Sequence, residues 1–206
     1  MPWRNTFVLA LLAGVGFAAP AGSEVAAPEA QILREVEGTY RALTRYLFQG
    51  VIRVDLRSAS APRSQEVPFL VAADGGSRLR DQLGSGAVGG MMVSDGRQTV
   101  IYDAQLRQYV RRRGSADSLR ARDPGRGIRG ALLARYGSIA DGATAAKRLP
   151  DETVALGGAR RDCIVLEVTY PPAAQSPSQE LPRTYWIDKQ THLVLRQRSV
   201  ARADVP

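Results

Sequence analysis

The glycines Gly84, Gly86 and Gly89 form the pattern in this chain that could hold a dinucleotide. A G-x-G-x-x-G segment binds a pyrophosphate only where a helix follows, because the phosphates must meet the helix N-terminus. Here the pattern is followed by Gly-Met-Met-Val and then by a turn. We therefore interpret residues 84–90 as a loop, and we expect no cofactor.

The other residues that could do chemistry are His192 and the aspartates Asp95, Asp103 and Asp188. His192 is the single histidine, so neither a Ser-His-Asp triad nor a zinc site with several histidines can be assembled around it. Each aspartate stands where the chain is expected to reverse, and aspartate side chains stabilise such turns. The sequence contains no G-x-S-x-G elbow and no P-loop. We predict that the protein is not an enzyme and holds no metal.

Two stretches predict antiparallel strands with one apolar and one polar face. Residues 91–113 alternate around turns at Asp95-Gly96 and Asp103-Ala104, and residues 183–200 repeat the design around Asp188-Lys189. Pro68 favours a sheet edge or a bulge. Because the strands follow one another through short turns, they predict a sequential antiparallel sheet. Further strands are expected near residues 48–57, 66–72, 77–83 and 153–170.

Two amphipathic helices are expected beside the sheet, from apolar residues at helical spacing. The first stripe, which Gly50 ends, is Leu33, Val36, Tyr40, Leu43 and Leu47, and the second is Ile128, Leu132, Leu133, Tyr136 and Ile139. The predicted fold class is α+β: a curved antiparallel sheet, as in an incomplete β-barrel, with an N-terminal helix and a helical insertion as a lid. Such an arrangement either packs into a solid core or leaves an apolar cleft between sheet and helices.

The N-terminal residues predict export. Arg4 precedes the apolar run 7–19, and Ala19-Pro20-Ala21 has the small-x-small pattern of a signal peptidase site. We predict a signal peptide over residues 1–21, a linker over 22–29 and a single domain over 30–206, with cleavage near Ala21 and a periplasmic location. A short membrane anchor is the alternative, although the run is shorter than a spanning helix requires. Cys163 is the only cysteine, which excludes an internal disulfide.

The net charge of +8 predicts attraction to anionic partners. Eight arginines lie between residues 111 and 135: Arg111, Arg112, Arg113, Arg120, Arg122, Arg126, Arg129 and Arg135. For an exported protein the available anions are lipid headgroups, through peripheral membrane contact, or an acidic protein. Nucleic acid is not expected there. A solvated arginine-rich loop without a partner is the alternative.

Three segments, VSDGRQTVIYDAQLRQYVRRR, GGARRDCIVLEVTYPP and RTYWIDKQTHLVLR, together resemble the periplasmic LolA-like superfamily. That superfamily includes the lipoprotein carrier LolA, the LppX proteins, the sensor domain of RseB and outer-membrane lipoprotein-sorting domains. The resemblance runs from about Leu33 to Val200, and its best markers are the turn 94–96 before residues 100–103 and the Trp-Ile-Asp of residues 186–188. It also implies further strands after the last hairpin, so we expect either a shorter barrel or a piece of a longer chain.

The resemblance implies an incomplete barrel that holds acyl chains or similar ligands without chemistry. The cavity would then be lined by Ile52, Val54, Leu56, Phe69, Met92, Val100, Ile164, Leu166 and Leu195, and the lid would contribute Ile128, Leu132, Leu133 and Tyr136. The expected function is an exported carrier or sensor of a lipid or an acylated lipoprotein. The alternative is an interaction protein of the RseB type that recognises an acidic envelope partner.

Overall fold

Two antiparallel sheets and two helices form the part of the chain that the structure describes. The computed structural model describes residues 25–56, 63–75, 77–85, 88–114, 128–171 and 180–201. The predicted signal peptide and Arg120, Arg122 and Arg126 lie outside these residues. The elements in chain order are α1 (Ala27–Ala42), β1 (Arg45–Leu56), β2 (Arg63–Asp74), β3 (Arg78–Ser85), β4 (Val88–Asp95), β5 (Gln98–Asp103), β6 (Gln108–Arg113), α2 (Ile128–Tyr136), β7 (Ala145–Leu156), β8 (Ala159–Thr169), β9 (Glu180–Asp188) and β10 (Val194–Ala201).

The strands pair in the order of the chain, as the short turns predict. The first sheet has the order β1-β2-β3-β4-β5-β6, and its end strands β1 and β6 are not neighbours, so it is not closed. The second sheet has the order β10-β9-β8-β7. The antiparallel, sequential arrangement is confirmed, but the strands form two sheets instead of one, with α2 between them along the chain.

The register of the first sheet places a row of residues on one face, which we call the inner face. In antiparallel strands, directly opposite residues share a face. The row consists of Phe48, Val71, Asp81, Met92, Ile101 and Val110, one from each strand. Val71 in this row is fully buried and packs with Ala73 and Leu79. The inner face is therefore the one that carries the core of the first sheet.

Helix α1 covers the second sheet with its apolar stripe. Leu33, Val36 and Tyr40 recur at the spacing of one helix face and are buried. They pack against buried residues of β8 and β9, namely Leu166, Val168, Tyr185 and Ile187. This cluster forms the main core of the described residues.

The predicted extension of the first helix to Leu47 is wrong. Helix α1 ends at Ala42 and β1 begins at Arg45, so Leu47 lies in a strand with 65% of its surface exposed. Gly50, expected to end the helix, lies inside β1 opposite Phe69, whose ring occupies the place of a side chain at residue 50. Helical spacing of Leu43 and Leu47 was outweighed by pairing of β1 with β2 along its whole length.

Pro68 lies where β2 has one neighbour. The pairing of β2 with β1 spans Arg63 to Asp74, whereas its pairing with β3 begins at Phe69. Residues 63–68 thus form a local edge of the sheet, where a residue without an N–H costs no ladder hydrogen bond. The prediction of an edge at Pro68 is confirmed for this segment.

Helix α2 connects the two cores. Leu132 packs against both the cluster under α1 and the cluster of the first sheet. Arg41, near the end of α1, donates from Nε to the carbonyl oxygen of Gly137 at 2.7 Å. Tyr136 lies with its ring centroid 5.0 Å from that of Tyr40. These contacts fix α2 between α1 and the inner face.

The opposite face of the second sheet carries a smaller cluster. Cys163, Val165 and Trp186 are buried there. The indole Nε1 of Trp186 donates to Glu152 at 2.8 Å, and the guanidinium of Arg196 lies 4.5 Å from the ring centroid. Both faces of β8 are therefore covered, and Cys163, the fifth residue of β8, is fully buried.

Candidate functional site

The aspartates of the first sheet stabilise its turns. Asp95 Oδ1 accepts from the backbone N–H groups of Arg97 and Gln98, each at 2.7 Å. These two hydrogen bonds, that of Gln98 first, hold the pKa of Asp95 below its usual value. Asp103 Oδ1 accepts from the N–H of Leu106 at 3.0 Å. Both carboxylates are thus engaged in local turn geometry, as their sequence positions predict.

Asp188 has the same role in the last hairpin. Its Oδ1 accepts from the N–H groups of Gln190 and Thr191 at 2.8 and 2.9 Å. Burial opposes ionisation of Asp188, but these hydrogen bonds and the guanidinium of Arg161 outweigh it and lower the pKa. His192, which adopts a positive φ of 55°, lies 3.3 Å from Glu35 through Nε2. Within the described residues, no group of three His, Cys, Asp or Glu side chains could hold a metal ion.

The inner face of the first sheet continues beyond the part that α2 covers, and this open stretch is the candidate site. We call it the groove and define it by Ile52, Val54, Leu83, Ile101 and Val110, with Phe69 and Met92 at its base. Exposure rises along it. Val71 is fully buried, whereas Leu83, Ile52, Val54 and Val110 are 39%, 40%, 44% and 48% exposed. Exposed apolar side chains grouped on the face that also carries the core make this stretch the candidate binding surface.

The residues that shape the groove come from separate strands. Ile52 lies opposite Val67, and Phe69 lies opposite both Gly50 and Leu83. An added Cβ at Gly50 would lie 2.8 Å from the Phe69 ring. Because residue 50 has no side chain, the Phe69 ring can occupy the space over β1 at this position. The ring therefore forms part of the floor of the groove.

Some of the residues expected to line a cavity share the groove. Ile52, Val54, Phe69 and Met92 lie on the inner face. Leu132 packs at its covered end, while Leu133 is partly buried and Tyr136 is buried in the core under α1. Leu56 and Ile128 are the last residue of β1 and the first residue of α2, and their side chains lie outside the described part.

The remaining expected residues lie elsewhere. Val100 pairs with Val93 and Arg111 on the outer face of the first sheet. Leu166 is fully buried, and Ile164 partly buried, in the core of the second sheet under α1. Leu195 packs against the cluster on the opposite face of that sheet. These four side chains do not meet in one place.

Three groove residues, Leu83, Ile101 and Val110, are not among those that the sequence led us to expect in the cavity. Alternation does not identify them, because Ile101 follows Val100 and Val110 follows Tyr109 in the sequence. Only the register across β3, β5 and β6 places these residues on one face with Ile52. One signal for Val110 is present in the sequence. Val110 is an apolar residue between Tyr109 and Arg111, in a strand that is otherwise polar or aromatic.

Two pockets that are open to solvent lie away from the groove. A cavity of about 240 Å³ is lined by Arg135, Ser138, Ile139, Asp141, Tyr170, Arg183 and Tyr185. A second one of about 120 Å³ lies near the glycines Gly84 and Gly89, next to Met91 and Tyr102. Gly84 lies in β3 and pairs with Gly89 in β4, so the expectation of a loop over residues 84–90 is wrong for both glycines, and the chain continues as a strand. Among the described residues, no helix is long and apolar enough to cross a membrane.

Comparisons with known proteins give structural likenesses. No family model and no curated protein matches the chain. It is similar to a domain described as outer membrane lipoprotein-sorting from Vibrio parahaemolyticus, with 14% identity, 85% of this chain and 72% of that one covered, and a TM-score of 0.33. It is also similar to a DUF1329 family protein from Desulfovibrio piger, with 14% identity, 86% and 75% coverage and a TM-score of 0.35.

A third similar structure is a LolA superfamily protein from Nitrosomonas europaea, with 14% identity, 83% of this chain and 70% of that one covered, and a TM-score of 0.28. Structures of LolA-like proteins are therefore among those that this chain is similar to. All three TM-scores lie below 0.5, so what the protein binds must follow from its own side chains.

Proposed function

We propose that this protein is a non-enzymatic carrier or sensor that binds the acyl chain of a lipid or an acylated lipoprotein in the groove. The observation that carries the proposal is the set of apolar side chains on the inner face, from the buried Val71 to the half-exposed Ile52 and Val54, which lies beside the buried Asp81 of β3. A ligand with a long apolar chain would cover this strip. The side chains that define the groove are apolar, and the acid next to them on the inner face is the buried Asp81, which lies opposite Val71 and Met92.

The energy of such binding depends on chain length. A methylene that is fully removed from water contributes about 0.8 kcal/mol. An open groove shields roughly half of each methylene's surface from water, so each contributes about half of that value. Association costs at least about 4 kcal/mol in lost freedom of motion. On these values, chains shorter than about ten methylenes gain too little to bind. The groove therefore suits long acyl chains.

Helix α2 is proposed as a lid over the covered end of the groove. It is held by Leu132, which packs against the first sheet, and by the hydrogen bond from Arg41 at its far end. An acyl chain that enters along Phe69 and Met92 would meet Leu132 next. We infer that a longer chain displaces this contact and that a shorter chain stops before it.

The proposed carrier acts in the periplasm. This follows from the proposal that residues 1–21 are a signal peptide, 22–29 a linker and 30–206 one domain. The support is the apolar run after Arg4 and the Ala-Pro-Ala segment that ends at Ala21. N-terminal sequencing of the exported protein checks this, and an intact Met1 would contradict it.

Two neighbouring substitutions on β1 test the groove. Ile52 points to the inner face and Val51 to the outer face, and both are exposed, at 40% and 56%. Binding of a fluorescent long-chain acyl probe is measured for the wild type, for Ile52→Asp and for Val51→Asp. A carboxylate against an acyl chain should weaken binding at least about tenfold in Ile52→Asp, because a charge would lose water without a partner.

Val51→Asp is the matched control, with the same charge, the same strand and the other face. We expect it to bind the probe like the wild type. Thermal unfolding of both variants checks that the fold is kept. Absence of probe uptake by the wild type, or an equal loss in the two variants, would reject the groove as the site.

A further inference from the structure

The hairpin of β5 and β6 is basic, and its second strand is fully exposed. Every residue of β6, Gln108–Arg113, is exposed. Residues 97–113 contain five arginines and one acidic residue, Asp103, which leaves a net charge of +4. Within the described part of the chain, four of these guanidinium groups have no ion pair or hydrogen-bond partner, whereas that of Arg97 interacts with the carboxylate of Asp95. The arginines are Arg97, Arg107, Arg111, Arg112 and Arg113.

The same hairpin exposes large apolar and aromatic side chains. Leu106 at its turn is 66% exposed, and Tyr109 on β6 is 67% exposed. Tyr109 lies directly opposite Tyr102 on the outer face of the sheet. Val110, on the inner face, is also half exposed. Tyrosine has an apolar ring and a polar tip, which suits the boundary between lipid and water.

The distribution of these groups distinguishes a membrane from a protein partner. The outer face of β6 carries Tyr109 and Arg111, the inner face carries Val110 and Arg112, and the turn carries Leu106. A protein partner on one face would leave the other face and the turn in water. A bilayer surface surrounds a hairpin that enters it, so it can contact both faces and the turn together.

We propose that the β5–β6 hairpin docks the protein on an anionic lipid bilayer, with Leu106 and Tyr109 at the headgroup boundary and the arginines on the phosphates. Basic side chains near an anionic surface and apolar side chains in its interface both favour such contact. The inference does not depend on an occupied groove. It does place Val110, at the β6 end of the groove, next to the membrane.

Sedimentation with lipid vesicles tests the docking. The full chain is mixed with vesicles of phosphatidylcholine alone or of phosphatidylcholine with phosphatidylglycerol, at low and high salt. We expect stronger binding to the anionic vesicles than to phosphatidylcholine alone, and loss of this difference at high salt, where charges are screened beyond about 3 Å at 1 M. All variants carry the same N-terminal residues, whose apolar contribution is equal in all of them and is not weakened by salt.

Substitutions in the hairpin should weaken binding selectively. Arg111→Gln with Arg113→Gln should lower the partition coefficient about thirtyfold, since each arginine contributes about fivefold at an anionic surface. Leu106→Ser should lower it about tenfold or more. These side chains are exposed and make no contact with the core, so the thermal unfolding temperature should not change.

The hairpin of β7 and β8 supplies matched controls. Leu156 is 48% exposed there, and the two arginines of residues 152–162 are balanced by Glu152 and Asp162. The control for Leu106→Ser is Leu156→Ser. The control for the double arginine variant is Arg160→Gln combined with Arg198→Gln, of which Arg198 lies on β10. We expect both controls to bind vesicles like the wild type.

Three results would overturn the membrane proposal. One is the absence of binding of the wild type to anionic vesicles. Another is an equal loss in the hairpin variants and the controls. The third is binding to a polyglutamate peptide, with the same dependence on Arg111 and Arg113, while vesicles are not bound, which would assign the hairpin to an acidic protein. Acyl probe uptake without vesicles is a separate measurement, so failure of the docking and failure of the groove are distinguished.

Discussion

Removal of one hydroxyl oxygen from Tyr40 tests how α1 is held against the last hairpin. Tyr40 is 5% exposed, and its hydroxyl oxygen accepts a hydrogen bond from the N–H of Val194 at 3.2 Å. In Tyr40→Phe the ring keeps its place, but this backbone N–H at the start of β10 loses its acceptor. An unpaired and largely buried N–H costs about 1–3 kcal/mol. Val194 is half-buried, so we expect a loss of about 1–2 kcal/mol in the free energy of unfolding.

Tyr136→Phe is the matched control, since it makes the same change in the same core. The Tyr136 hydroxyl donates to the side-chain oxygen of Gln197 at 3.0 Å, and Gln197 can turn to water when that donor is lost. The expected loss is therefore smaller, about 0.5 kcal/mol, as for an ordinary exchangeable hydrogen bond. The difference between the two variants isolates the cost of leaving a backbone donor without a partner.

Urea unfolding followed by circular dichroism measures both values. The dependence of the unfolding free energy on urea should be the same in all three proteins, because the surface exposed on unfolding does not change. A cost in Tyr40→Phe no greater than that in Tyr136→Phe would refute the reasoning. It would mean that Val194 finds another acceptor or that α1 is not held to β10 in this way.

Three further predictions concern titration and reactivity. Burial raises the pKa of Tyr136 from 10.0 to about 12. The folded state therefore holds this proton more tightly than the unfolded chain, and the stability so gained is complete below pH 10 and lost as the pH rises toward 12. Urea unfolding at alkaline pH should show this decline, and a less steep one in Tyr136→Phe. The pKa of Asp188 is lowered, so its effect on stability has the opposite dependence on pH. Its contribution to the free energy of unfolding is complete above the ordinary pKa of 3.8 and is lost as the pH falls below that value. In Asp188→Asn, stability should therefore depend less on pH in the acid range. A variant as acid-sensitive as the wild type would contradict this. Burial raises the pKa of the Cys163 thiol, which is fully enclosed, so a thiol reagent should label it only in unfolding concentrations of urea, and rapid labelling of the native protein would disprove that burial.

The outer and inner faces of β1 show how far sequence patterns determine the groove. The alternation of Ile52 and Val54 with charged residues predicts correctly that both point to one side. It does not say which residues of other strands lie on that side. That depended on five successive pairings from β1 to β6, whose registers bring Val110 onto the face of Ile52.

The helices show the same limit. The stripe of Leu33, Val36 and Tyr40 predicts α1, because its spacing is that of one helix face. Its end could not be predicted, since Leu43 and Leu47 continue the spacing into residues that pair with β2 instead. A short segment compatible with both periods takes the structure that its tertiary partners stabilise.

The amino-acid sequence by itself determined the hairpins of this protein. The turns at Asp95, Asp103 and Asp188 are closed by hydrogen bonds to residues two or three positions away, so their geometry depends only on neighbours in the chain. The tertiary structure alone decided that these hairpins divide into two sheets, that α2 packs between them through Leu132, and that the inner face beyond it stays open. The reason is physical: turn and strand patterns act over a few residues, whereas a groove is formed by side chains from distant strands whose meeting depends on the packing of the whole chain.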